Sequence, residues 1–108
     1  GTADAVIRYT GGSTGLSPYP SAMQTIQTWG TYNGCENLIT DEAASLDLDL
    51  NVDGLDTTVT KFMEYPLGGT VELWTINNGA HSPSITAGQN ISEFPARVIE
   101  WLLAHPKP

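Results

Sequence analysis

Two short segments constrain the fold of this chain more than anything else in it. Gly1-Thr2-Ala3-Asp4 opens the sequence, and Asn78-Gly79-Ala80-His81 follows directly on Val71 to Ile76, a strand-like run of β-branched and aromatic residues. The neighbours of His81, Asn77 to Ala80 before it and Ser82-Pro83 after it, are small or turn-forming. The histidine therefore belongs on a tight loop behind a rigid strand rather than inside a helix. An imidazole so placed suits acid–base work: the loop lets one ring nitrogen project, while a carboxylate on the other nitrogen fixes the tautomer. Asp4, on the opening loop, is the candidate for that carboxylate.

At 108 residues and 40% apolar content the chain reads as one domain, residues 1–108, with a single core. Twelve Asp and Glu against four Lys and Arg give a net charge of -8. Nucleic acid and anionic membrane surfaces both need clustered cations, so neither is an expected partner. The acidity is local: Glu36, Asp41, Glu42, Asp47, Asp49, Asp53 and Asp56 share one stretch without a single base. That stretch is either a solvated face or a cation site. No apolar run approaches the roughly 20 residues needed to span a bilayer, and no charged-then-apolar leader opens the chain. The single cysteine, Cys35, allows no internal disulfide and reads as a structural thiol.

Along the chain, Ala5 to Pro20 is rich in glycine and proline and reads as an exposed loop. From Ser21, a plausible N-cap, Met23, Ile26, Trp29 and Tyr32 recur every three residues until Asn33-Gly34, which predicts a short amphipathic helix. Leu46, Leu48, Leu50 and Val52 alternate with Asp47, Asp49 and Asn51, which predicts a half-buried strand. Asp53-Gly54 reads as a turn and Thr57 to Tyr65 as a second strand. Pro66 to Gly69 turns the chain into Thr70 to Ile76, a strand expected inside a sheet. A docked helix is expected from near Ser92, with Phe94, Val98, Ile99, Trp101, Leu102 and Leu103 inward and Pro106 as its stop.

Other constellations have plainer readings. Gly11-Gly12-Ser13-Thr14-Gly15 matches G-x-S-x-G letter for letter, but a nucleophile there must sit between a buried strand and a helix and precede the acid. Ser13 does neither. Asp49, Asn51, Asp53 and Gly54 match the first positions of a calcium loop, whose twelfth residue should be Glu; here it is Thr60, and the flanks are strand-like. Trp29 and Trp101 lie on helical apolar stripes and read as core, Trp74 could face either side of its strand, and His105 favours the C-terminal dipole of the last helix. No cofactor or metal is called for.

The run Gly1-Thr2-Ala3-Asp4 with Tyr9 and Gly11-Gly12 after it, the helix ending Trp29 to Asn33-Gly34-Cys35, the stretch Asp56-Thr57-Thr58-Val59-Thr60, the strand and loop Val71 to His81, and His105-Pro106 resemble successive landmarks of secreted polyhydroxybutyrate depolymerases and feruloyl esterases. The resemblance covers nearly the whole chain, in order. It implies an α/β fold, the C-terminal portion of an α/β-hydrolase: a loop with the acid, a helix, an inserted antiparallel hairpin, the last sheet strand, the histidine loop and a closing helix. Such enzymes present their triad in the order Ser, Asp, His. By the resemblance, Asp4 is the triad acid and His81 the triad base for carboxylic ester hydrolysis through an acyl-serine.

The Ser nucleophile and the oxyanion-hole amides are then expected on an upstream or separate segment, and the chain alone is expected to be inactive. Its partner would be the N-terminal half of the same enzyme, or a second copy through an open sheet edge beside Val71 to Ile76. The resemblance also implies a secreted or periplasmic location. Relatives often carry a cysteine facing the Cys35 position, but residues 65–69 contain none, so no disulfide is expected. A non-catalytic module on the same scaffold, binding a partner or calcium through the acidic strand, is the alternative.

Overall fold

Ser21 opens the first helix as its sequence predicts. In the computed structural model, which describes all 108 residues, the Ser21 hydroxyl accepts from the Gln24 amide and the Gln24 side chain accepts from the Ser21 amide. This reciprocal capping box satisfies two otherwise orphaned donors of α1, Ala22–Asn33. Gly34 ends it in the left-handed region, at φ 72, where a Cβ would be strained.

The central element is a three-stranded antiparallel sheet in the order β3 (Glu36–Thr40), β4 (Thr57–Glu64), β5 (Glu72–Ile76). β4 and β5 match the strands expected from the sequence. β3 was not foreseen, and it takes the place beside β4 that the sequence assigned to Leu46 to Val52. In that segment only Leu46 pairs with Thr57, as an isolated bridge, and the chain then turns. The cause is Asp56, whose buried carboxylate accepts from the Leu48 and Asp49 amides and draws them away from any ladder. Leu48 and Asp49 are consequently both buried, although alternation would place them on opposite faces.

Two smaller ribbons complete the β structure. β1 (Gly12–Thr14) and β2 (Ser17–Tyr19) form a tight hairpin inside the segment expected to be loop, and β6 (Thr86–Ala87) pairs with β7 (Asn90–Ile91) after the histidine loop. The closing helix, α2 (Phe94–Ala104), carries Pro at its first turn, where a missing N–H costs nothing. The fold is thus a mixed α and β architecture with antiparallel sheets, in keeping with the expected α/β class at that level.

The core is thin. Ile26, Leu48, Phe62 and Ile76 are the only apolar side chains that are fully buried. α1 reaches the sheet through Gly30, whose missing side chain leaves room for the Phe62 ring. Trp29, expected in the core, is instead 58% exposed, because the face of α1 that meets the sheet is the one carrying Ile26 and Gly30. Ile99, Leu102 and Leu103 of α2 are also exposed, so that helix docks less deeply than its apolar stripe predicts. The molecule is a slab of 41 × 39 × 26 Å. Its surface of 7215 Å² exceeds the about 5,800 Å² of a compact chain of this mass.

One edge of the sheet is open. The Asn77 amide donates to the Asp56 carbonyl, so Leu73 and Thr75 turn their backbone groups toward β4, while those of Glu72 and Trp74 point away from it. Only the Ile76 carbonyl at that edge is taken, by the Thr2 amide at 3.0 Å.

Candidate functional site

The opening loop and the histidine loop meet backbone to backbone at the end of β5. Besides the Thr2 contact, the Ala3 amide donates to the Gly79 carbonyl at 3.0 Å and the Asn78 amide donates to the Thr2 hydroxyl at 2.8 Å. Asn78 is left-handed, at φ 61, a conformation its side chain tolerates better than most, and the Gly79 amide closes the turn onto the Ile76 carbonyl. Gly1 and Gly79 pack so closely that a Cβ on Gly1 would overlap the Gly79 carbonyl.

This register brings Asp4 and His81 together. Asp4 Oδ2 lies 3.0 Å from His81 Nδ1, and Asp4 Oδ1 accepts from the amides of Val6 at 2.8 Å and Ile7 at 2.9 Å. The Asp4 side chain is only 9% exposed, that of His81 52%. Desolvation pushes the Asp4 carboxyl upward, but the His81 hydrogen bond, the Ile7 and Val6 amides and the charge on His81 outweigh it and hold the pKa at about 2. Ionised at neutral pH, the carboxylate only accepts, so Nδ1 carries the proton and donates it. Nε2 is then the basic nitrogen, with no protein hydrogen-bond partner, on a ring that is half exposed. This is the division of labour that a relay histidine needs.

The amides of Val6 and Ile7 and the hydroxyl of Thr2 did not emerge from the sequence as site elements. An Asp that caps amides two and three residues ahead is a common turn, and that local pattern at Asp4 was the available signal. Ser13 lies on β1 of a tight ribbon, outside any strand-to-helix turn. None of the five main concavities is lined by Asp4 or His81.

Of the seven acids of the stretch read as either a solvated face or a cation site, Glu36, Glu42 and Asp53 are exposed, Asp41 and Asp47 half-buried, and two are buried. Asp49 and Asp56 are 1% and 2% exposed and committed to the protein: Asp49 accepts from the Asn51 and Ser84 amides, Asp56 from Leu48, Asp49 and the Thr57 hydroxyl. No three His, Cys, Asp or Glu side chains converge as a metal-binding group. Within the calcium-loop spacing, Asp49 accepts from the Asn51 amide two residues on and closes a turn.

Cys35 donates its thiol to the Gly69 carbonyl at 3.1 Å, and desolvation raises its pKa, as for an inert structural thiol. His105 donates Nδ1 to the Trp101 carbonyl at 2.8 Å near the end of α2, and its ring stacks on Trp101. Trp74 leans toward α2, its ring edge-on to Phe94 and its indole N–H on Glu72. No family model, curated protein or solved structure matches this chain, so its chemistry rests on its own geometry.

Proposed function

We propose that this chain supplies the acid and the base of a serine esterase, as the C-terminal portion of an α/β-hydrolase. Asp4 orients His81 and stabilises its imidazolium. His81 Nε2 takes the proton of a serine hydroxyl during attack on the ester carbonyl, then returns it to the leaving alcohol. The observation that supports this best is the Asp4–His81 bond itself, with the second carboxylate oxygen fixed by two amides and Nε2 left free. A carboxylate held in this way cannot swing off the imidazole without losing three hydrogen bonds.

The nucleophile and the oxyanion-hole amides would come from a segment docked on the open edge of β5. Thr2 and Ala3 bond in turn to Ile76 and Gly79, so the entering chain runs parallel to β5. A parallel strand in line with it would meet the outward backbone groups of Trp74 and Glu72. An apolar groove of about 410 Å³, lined by Val71, Trp74, Val98, Trp101 and Leu102, borders that edge and would be covered by the same segment. The substrate is a carboxylic ester, and the location is outside the cytoplasm.

The test begins with native purification and intact-mass analysis, looking for a co-purifying polypeptide with a G-x-S-x-G segment. With that polypeptide, hydrolysis of a short-chain nitrophenyl ester is expected, dropping by about 10⁴-fold in Asp4→Asn and on the order of 10⁶-fold in His81→Ala. The chain alone should be no faster than free imidazole. Hydrolysis by the pure chain that survives His81→Ala would sink the reading, as would a complex that keeps full activity without His81.

A further inference from the structure

His81 depends on more than Asp4. Beyond the Asn78 and Gly79 contacts with the opening loop, the His81 loop is gripped where it leaves β5, at Asn77, and again after the histidine, at Ser84, and both of these grips come from the same acidic turn. At the near end, the Asp56 carbonyl accepts from the Asn77 amide at 2.8 Å and from the Asn77 side chain at 3.0 Å. At the far end, Asp49 Oδ1 accepts from the Ser84 amide at 2.9 Å, and the Leu50 amide donates to the Ser84 carbonyl at 2.9 Å. Asp49 is aimed in turn by the Asp56 carboxylate on its amide at 2.8 Å. Between these anchors the loop carries Gly79, Ala80, Ser82 and Pro83, and the imidazole is half exposed with Asp4 as its only hydrogen-bond partner.

We propose that Asp49 is a positioning residue for His81, its buried carboxylate fixing Ser84 and thereby the exit of the loop that presents the imidazole to Asp4. The assignment rests on the reading of His81 as the base and extends that reading to the turn behind it. The burial of Asp49 carries the argument. A carboxylate at 1% exposure must recover its lost hydration through hydrogen bonds, and one of its two partners lies 35 positions away, at the exit of the His81 loop. A purely local turn would need only the Asn51 amide.

Nitrogen NMR of the His81 ring in the full chain tests this without substrate. At alkaline pH the native chain is expected to show one fixed tautomer, with Nδ1 as the protonated nitrogen. Asp49→Ala should lose that single-tautomer spectrum, the two ring signals moving toward each other as the ring samples both forms. Asp49→Asn keeps an acceptor oxygen and should restore it.

If Asp49→Ala does not fold, Asp49→Ser decides: its hydroxyl can still cap Asn51 but is too short to hold Ser84, so the tautomer should again be lost. A residue serving stability alone would lower the melting midpoint and leave the ring signals unchanged below it, and that result overturns the proposal. Ester hydrolysis in the complex with a nucleophile-bearing polypeptide judges the esterase reading separately. A changed ring spectrum without any such activity would leave Asp49 in its role and remove the esterase.

Discussion

Ile76 and Gly79 bracket the turn that presents His81, and the Ile76 carbonyl accepts both the Gly79 amide that closes this turn and the Thr2 amide of the opening loop. One acceptor therefore ties the strand, the histidine loop and the acid loop together. The Ile76 side chain is in the core, so the site inherits its rigidity from the few apolar residues the chain buries.

Gly79→Ala should break this junction. The added Cβ would lie 2.6 Å from Ile76 Cγ2 and 2.9 Å from its Cβ, in a place where β5 cannot retreat. Urea denaturation should show a loss of about 1–3 kcal/mol. The His81 ring should also lose its fixed tautomer. An unchanged midpoint would mean that the loop yields more easily than its packing indicates.

Acid should weaken the fold through Asp4. Its folded pKa of about 2 lies below the ordinary 3.8, so its contribution is fully present above 3.8 and is lost as pH falls from there through about 2. Denaturant midpoints measured across that window should converge for the native chain and Asp4→Asn. A gap between them that is constant with pH would show that the native pair is not held by charge.

Asp56→Ala leaves the Leu48 and Asp49 amides and the Thr57 hydroxyl without their acceptor in a buried setting. The expected loss is on the order of 3 kcal/mol, with Asp56→Asn losing less because one oxygen remains. Equal losses in the two variants, read by thermal melting, would assign the role to charge rather than to hydrogen bonding.

Gly30 and Phe62 should be energetically coupled. A Cβ on Gly30 would fall within the Phe62 ring, so Gly30→Ala should lose about 1–3 kcal/mol. Phe62→Leu opens that space, and the double variant should lose less than the two single losses added together. Simple additivity in a double-mutant cycle would contradict direct packing of α1 on β4 through this pair.

The sequence by itself determined the elements governed by local rules. α1 has its capping box at Ser21 and its left-handed stop at Gly34, β4 and β5 lie where β-branched residues cluster, and α2 ends before Pro106, because caps, propensities and proline act within a few residues. Asp4 and His81 were legible as candidates because the small residues around each suit loops. Their meeting at 3.0 Å was decided by tertiary structure, through backbone bonds between Thr2, Ala3, Ile76 and Gly79 that no local pattern encodes. The same holds for Leu46 to Val52. Its alternation is real, but a buried carboxylate at Asp56 competes for the amides a ladder would use, and the better-satisfied arrangement of polar groups prevails over the period of the apolar ones.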